Sequence, residues 1–174
     1  DHGDGSHYRD DRPVPTATDF PIESTGLTQR IGINNIITRV KYGGRPDMPE
    51  KAKILFLCTG NSCRSQMAEG WARSLKEDSV EPYSAGIEKH GLNPHAVRVM
   101  REAGVDISGQ TSNTVSEIGS VNFDTVVTVC GNADENCPTF AGAPRIVHVG
   151  FDDPPRLAKS AANEEEALAP YRRV

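Results

Sequence analysis

The spacing between several cysteines and an arginine suits a site in which a thiol attacks a bound anion. Cys58 and Arg64 are separated by five residues, Cys63 lies between them, and Cys130 and Cys137 form a later pair. A loop of this length can curl so that successive backbone N–H groups point to one centre, which forms an anion-binding nest. A cysteine at the floor of such a nest is favoured as the reactive thiolate. The pattern therefore predicts nucleophilic attack by Cys58 on a bound anion.

Residues 58–65, here called the anion loop, join a predicted strand to a predicted helix, whose dipole adds to the positive potential. The planar guanidinium of Arg64 suits two oxygen atoms of a tetrahedral oxyanion. Ser65 is placed to donate a hydrogen bond to the Cys58 thiolate. We predict that the oxyanion is held by the rest of the loop, namely Thr59, Gly60, Asn61, Ser62, Cys63, Arg64 and Ser65. The alternative is a plain strand-to-helix turn with an inert buried cysteine; a nucleotide-binding loop would end in Gly-Lys-Ser/Thr.

Residues 130–137, here called the relay segment, separate the later cysteines. The intervening residues are small, polar or acidic, which is poor material for a stable helix, so we predict a mobile segment. Mobility would let Cys130 reach Cys58 and later Cys137. The alternative is structural, with Cys130 buried at a strand end and Cys137 an exposed loop thiol. For Cys63 we favour packing beneath the anion loop, and the cysteine spacing disfavours structural zinc.

Alternating strands and helices must position these thiols. Apolar runs predict strands at residues 54–57, 80–84, 125–129 and 146–149, and helical periodicity predicts helices at about 65–76, 94–102 and 164–174. Such alternation indicates a four-stranded parallel sheet with helices on both faces, a three-layer α/β sandwich. Ligands bind beyond the carboxyl ends of such strands, and Cys58 and Cys130 each follow a strand directly.

Composition and charge narrow the class of protein. The 174 residues are 36% hydrophobic and carry a formal net charge of -5, which argues against a general nucleic-acid binder. No apolar run approaches the roughly 20 residues that cross a bilayer. Four cysteines without a signal peptide point to a reducing compartment, and we expect the cytoplasm. Residues 1–50 are polar and Pro/Gly-rich, so we predict a flexible or weakly ordered extension before a domain at 51–174.

At this point the sequence resembles a known family. The segment ILFLCTGNSCRSQMAEGW, residues 54–71, resembles the opening of thioredoxin-coupled arsenate reductases, which share the flavodoxin-like fold of low-molecular-weight protein tyrosine phosphatases. The resemblance runs from about Lys53 to the end of the chain and includes residues 83–87 and 151–154. It implies reduction of arsenate to arsenite, with phosphate and sulfate as competing oxyanions, thioredoxin as the reductant and no bound organic cofactor. Because family members continue through a further C-terminal helix, we expect that the chain is truncated.

The resemblance also implies roles for particular residues. Cys58 would attack arsenate, Cys130 would attack Cys58, and Cys137 would then attack Cys130. Asp153, directly before Pro154, would be the general acid, although an Asp-Pro pair also suits a turn in which the aspartate caps a helix. Some family members hold a potassium ion, for which the candidates by position are Asn61, Glu69, Ser84 and Thr111, with Asn113 where an aspartate would strengthen the site.

Two other functions stay open on the sequence. The first is a low-molecular-weight tyrosine phosphatase, which is disfavoured because Pro155 and Arg156 stand where two pocket tyrosines are typical of that family. The second is a catalytically silent module that binds an oxyanion or a partner. His90, His95 and His148 match no role in the reaction, and we expect them at surface or packing positions.

Overall fold

The computed structural model describes residues 51–142 and 144–174, so the extension predicted at residues 1–50 lies outside the described residues. Four strands are present there: β1 (Ala52–Cys58), β2 (Val80–Gly86), β3 (Thr125–Thr128) and β4 (Arg145–His148). The helices are α1 (Arg64–Lys76), α2 (Pro94–Glu102), α3 (Gly131–Glu135), α4 (Pro154–Ala158) and α5 (Glu164–Arg173). The strands form one sheet in the order β2-β1-β3-β4, with every pairing parallel. The predicted fold class is confirmed.

Strand β1 forms the centre of the core. Its residues Ile54, Leu55, Phe56 and Leu57 are all 0% exposed. Because successive side chains of a strand point to opposite faces, this unbroken burial means that both faces of β1 are covered. Strand β4 lies at the sheet edge, where Ile146 is 51% exposed. The core is thus built around the strand that leads into the anion loop.

Helix α1 follows the anion loop and holds it against the sheet. Four apolar residues at helical spacing are buried on one face: Met67, Ala68, Trp71 and Ala72. Burying a large apolar side chain of this kind contributes about 1.5–3 kcal/mol. Gly70 lets the helix approach the Ile107 side chain closely, because a Cβ at position 70 would lie 2.4 Å from Cγ2 of Ile107. The packing of helix α1 against the sheet therefore fixes the position of its first turn, which adjoins the anion loop.

Helix α2 begins and ends as its sequence predicts. The Asn93 side chain caps it by accepting the N–H groups of His95 at 2.9 Å and Ala96 at 3.2 Å, and Pro94 stands at the first position. Gly104, with a φ of 82°, follows the last turn in the left-handed region. The segment before α2 is thereby held in place, and that segment contacts the anion loop.

Helix α5 confirms the helix predicted near the end of the chain. The Asn163 side chain accepts the Glu166 N–H at 3.0 Å, and Leu168 and Tyr171 are buried. Within residues 51–142 and 144–174, no helix has the length and apolar character needed to span a membrane.

The relay segment differs from its prediction. Residues Gly131–Glu135 form the short helix α3, with Ala133 0% exposed, where the sequence indicated no stable helix. The sequence did not predict this helix because it depends on tertiary contacts, which include a hydrogen bond from Thr128 Oγ1 to Asp134 Oδ1 at 2.9 Å; the predicted mobility of the segment stays a prediction.

Candidate active site

Cys58 ends β1 and is buried, with two hydrogen-bond partners at its sulfur. The Ser65 Oγ lies 2.9 Å from Cys58 Sγ, and the backbone N–H of Asn61 donates to the same sulfur at 3.2 Å. One hydroxyl and one backbone N–H of the anion loop therefore converge on the sulfur of the predicted nucleophile.

Asn61 orients the Ser65 hydroxyl. It is fully buried with a φ of 42°, a left-handed conformation that asparagine tolerates better than most residues. Its Nδ2 donates to Ser65 Oγ at 2.9 Å, and its Oδ1 accepts from Gln66 Nε2 at 2.9 Å and from the Asn113 N–H at 2.7 Å. Because the Ser65 oxygen already accepts from Asn61, the single hydroxyl proton is left to point at Cys58 Sγ.

The segment at residues 87–93 holds the carbonyl groups of the anion loop. Four backbone hydrogen bonds of 2.9–3.2 Å join the two, from N–H to C=O: Ile87 to Cys58, Glu88 to Thr59, His90 to Gly60, and Asn93 to Ser62. Among the described residues, the N–H groups of Gly60, Ser62 and Cys63 have no protein acceptor. Carbonyls bound on one side and unused N–H groups are the arrangement expected of an anion nest.

Two glycines make this close approach possible. A Cβ at Gly60 would lie 2.3 Å from His90 Nδ1, so the histidine ring packs directly on the loop backbone. A Cβ at Gly86 would lie 2.1 Å from the Glu88 carbonyl oxygen and 2.8 Å from the Asn61 nitrogen. Neither Gly86 nor His90 was predicted from the sequence to be part of the site. The only available signal was the glycine that ends β2 at the same sheet edge as Cys58.

Arg64 and Asp153 are brought together from the two sides of the site. Arg64 Nη2 lies 3.4 Å from Asp153 Oδ1, and Arg64 Nη1 donates to the Phe151 carbonyl oxygen at 3.2 Å. Asp153 precedes α4, yet its side chain makes no capping hydrogen bond to that helix. The Asp153 carboxylate therefore does not cap helix α4. It lies next to the Arg64 guanidinium of the anion loop instead.

Cys130 lies against the anion loop. It follows β3, is 4% exposed, and its Sγ lies 3.4 Å from Oγ1 of Thr59, the residue next to Cys58. The Thr59 hydroxyl also contacts Asn132 Oδ1 at 3.3 Å, which links the loop to α3. Two thiols that follow neighbouring parallel strands thus lie at the same edge of the sheet, as the sequence predicted.

Cys137 and Cys63 occupy different surroundings. Cys137 is partly buried beyond the end of α3, and its pKa is raised by burial and by the nearby Asp134 carboxylate. Cys63 is 3% exposed with its Sγ 3.7 Å from Met67 Sδ. Burial strongly raises the pKa of the Cys63 thiol, against the opposing charge of Arg64. Cys63 therefore packs beneath the loop as a neutral thiol, in agreement with the prediction.

Comparison with known proteins assigns the family. The sequence model of the family described as "Low molecular weight phosphotyrosine protein phosphatase" matches residues 53–150. An arsenate reductase of Bacillus licheniformis is 54% identical over 124 residues, which cover 71% of this chain and 87% of the relative. The chain belongs to the arsenate reductases of this family.

Solved structures of this family share the fold. An arsenate reductase in its phosphate-binding state is 31% identical, covers 70% of this chain and 88% of its own, and superposes with a TM-score of 0.54. A thioredoxin-dependent arsenate reductase of Corynebacterium glutamicum has a TM-score of 0.52 at 20% identity, over 84% of this chain and 64% of its own, a likeness in fold. The sequence relatives thus show the arsenate reductase family, and the solved structures show the same α/β fold.

In this arsenate reductase, the four residues predicted to hold potassium form two hydrogen-bonded groups. The Ser84 hydroxyl donates to Glu69 at 2.6 Å, and Glu69 also pairs with Arg73 at 2.5 Å. Asn61 Oδ1 and the Thr111 carbonyl both accept from Gln66 Nε2, at 2.9 and 2.8 Å. These hydrogen bonds occupy only part of the acceptor capacity of the four residues, so potassium binding stays a prediction and we assign no step to it.

Proposed function

We propose that the chain reduces arsenate to arsenite through the three thiols Cys58, Cys130 and Cys137. The observation that carries the proposal is the 3.4 Å contact between Cys130 Sγ and Thr59 Oγ1, because it sets a second thiol beside the residue that follows the nucleophile. A phosphatase needs one cysteine and a general acid, whereas a reductase needs a second thiol within reach of the first.

The first step is attack on arsenic. Arsenate binds to the free N–H groups of the anion loop and to Arg64, in place of the contact between Arg64 and Asp153. The Cys58 thiolate forms a bond to arsenic, and one oxygen leaves as water after protonation by Asp153. The product is a Cys58 thioester of arsenic in which arsenic is still pentavalent.

The second step reduces arsenic. The Cys130 thiolate attacks Cys58 Sγ, and a disulfide forms as the sulfur–arsenic bond breaks. The electron pair of that bond stays on arsenic, which becomes trivalent and leaves as arsenite. The two electrons come from the two thiolates, so this step needs no bound organic cofactor.

The third step restores the nucleophile. The Cys137 thiolate attacks Cys130 Sγ, and Cys58 leaves as a thiolate. The Cys130–Cys137 disulfide is then reduced by a dithiol protein, for which thioredoxin in the cytoplasm is the proposed partner. Phosphate and sulfate compete with arsenate, because the loop recognises tetrahedral oxyanions by geometry and charge.

Arsenate-dependent NADPH oxidation, with thioredoxin and thioredoxin reductase added, tests this proposal. We expect steady turnover by the wild type and none by Cys130→Ser. Cys137→Ser should release one equivalent of arsenite per enzyme and stop with a Cys58–Cys130 disulfide, detectable by peptide mass spectrometry. Steady hydrolysis of an aryl phosphate by both the wild type and Cys130→Ser, without arsenate turnover by either, would instead indicate a phosphatase.

A further inference from the structure

A cluster of three polar side chains lies outside the anion loop and fastens α3 to the sheet. Thr128, the last residue of β3, is fully buried, and its Oγ1 lies 2.9 Å from Asp134 Oδ1 on α3. The same hydroxyl lies 2.8 Å from Nδ1 of His148, the last residue of β4. His148 Nδ1 is also 3.6 Å from Asp134 Oδ1. One buried hydroxyl therefore joins two strands to the helix between Cys130 and Cys137.

The direction of these hydrogen bonds follows from counting protons. An ionised carboxylate only accepts, so the Thr128 hydroxyl donates its one proton to Asp134. The hydroxyl oxygen must then accept from His148, which places a proton on Nδ1 of that ring. The three groups form a directed chain from His148 through Thr128 to Asp134, and the buried hydroxyl has both of its partners.

The docking of helix α3 depends on these hydrogen bonds between His148, Thr128 and Asp134. The helix has five residues, far fewer than the roughly 12–15 at which an isolated helix becomes even marginally stable. Its other contacts with the sheet and the anion loop include the buried Ala133 and the hydrogen bond from Thr59 to Asn132. Loss of the Asp134 contact therefore removes one of few anchors, and the balance between docked and open helix should respond to it.

Asp134 also acts on the thiol that follows α3. After burial, its charge is the second cause that raises the pKa of Cys137. While α3 is docked, Cys137 is thus held as a less reactive thiol beside a carboxylate that His148 and Thr128 keep in place. Opening of the helix would remove both the partial burial and the fixed carboxylate, so one motion frees and activates Cys137.

We propose that Thr128, Asp134 and His148 form a latch that docks α3 and delays attack by Cys137 until the helix opens. The three are positioning residues, because they act through α3 on the cysteines. This inference rests on the proposed thiol relay: with the latch released, the Cys137 thiolate attacks Cys130 Sγ and the Cys58 thiolate leaves. With the latch closed, Cys130 stays against the anion loop, ready for Cys58.

The test uses the reduced full chain without arsenate. Two quantities are measured: hydrogen exchange of the backbone amides at residues 131–137, and the rate at which iodoacetamide alkylates Cys137, followed by peptide mass spectrometry. Thr128→Val removes the hydroxyl at nearly constant shape, and Thr125→Val is its matched control on the same strand. His148→Ala, with Ile146→Ala as control on β4, serves if Thr128→Val does not fold.

Thr128→Val and His148→Ala should each raise both rates about fivefold, the factor that corresponds to one net hydrogen bond, while the controls match the wild type. If either folded variant exchanges and alkylates like its control, the latch is refuted. A single turnover with arsenate then separates the two proposals: a wild type that ends without a Cys130–Cys137 disulfide refutes the relay, whereas the exchange and alkylation rates judge the latch by themselves.

Discussion

Arg64 Nη2 lies 3.4 Å from Asp153 Oδ1, so the loop after β1 contacts the loop after β4 through opposite charges. The Arg64 side chain is 14% exposed and the Asp153 side chain 38% exposed, which leaves the carboxylate more accessible to water than the guanidinium. A bound oxyanion would compete with Asp153 for Arg64. The same contact thus places the proposed general acid beside the oxyanion that it would protonate.

Asp153→Asn should slow formation of the Cys58–Cys130 disulfide in a single arsenate turnover by about 10²–10⁴-fold, because the proton donor is lost. Phosphate binding should become tighter at the same time, since the variant removes a negative charge that pairs with Arg64. Rapid quench and calorimetric titration with phosphate measure the two effects. Asp152→Asn is the control, because its carboxylate pairs with Arg173 at 3.0 Å. Equal rates of disulfide formation in the two variants would show that Asp153 is not the proton donor.

Gly86→Ala should destabilise the protein more than Gly60→Ala, although both glycines face crowded space. A Cβ at Gly86 meets backbone atoms that cannot move, whereas a Cβ at Gly60 meets the His90 ring, which is half-exposed and can swing outward. Overpacking of a tight site costs about 1–3 kcal/mol, and we place Gly86→Ala at the upper end. Urea unfolding measures the order, with Gly109→Ala as control because no atom lies within 4 Å of its Cβ position.

His90→Ala should rescue most of the loss in Gly60→Ala, because it removes the atoms that the new Cβ would meet. A double-mutant cycle on the free energy of unfolding gives the coupling between the two positions. Strict additivity would mean that the ring does not pack on the loop in solution.

Cys63 should make the protein less stable at alkaline pH. Its pKa in the folded state is raised above the ordinary value of 9.0, mainly by burial. Above that value the unfolded chain releases the proton while the folded chain keeps it, so the free energy of unfolding falls as pH rises. Urea unfolding from pH 7 to 10 should show a steeper decline for the wild type than for Cys63→Ala. Parallel curves would indicate that Cys63 is not buried as a neutral thiol.

Potassium should have little effect on stability. The oxygens of Asn61, Glu69 and Thr111 accept from protein donors, the Ser84 hydroxyl donates to Glu69, and Asn113 supplies no charge. Thermal unfolding in KCl and in NaCl at equal ionic strength should therefore give the same Tm. A higher Tm in KCl that is lost in Glu69→Gln would show that a cation displaces these bonds and binds there.

Much of this molecule can be predicted from local sequence. Four successive apolar residues identify β1, the spacing of Met67, Ala68, Trp71 and Ala72 identifies α1, and Asn93-Pro94 marks the start of α2. These signals suffice because each element follows from its own hydrophobic period and caps. The order of strands and helices then places Cys58 and Cys130 at the same sheet edge.

Other features depend on contacts between distant residues. Helix α3 escaped prediction because Thr128 and His148 anchor it from two strands, and neither can be read from the composition of residues 131–135. The packing of His90 on Gly60 and the pairing of Arg64 with Asp153 likewise join segments far apart in the chain. Sequence alone determined the types and order of the reactive groups, through local periodicity and spacing. The tertiary structure alone decided which groups touch, because side-chain contacts form only after the sheet has brought separate loops to one edge.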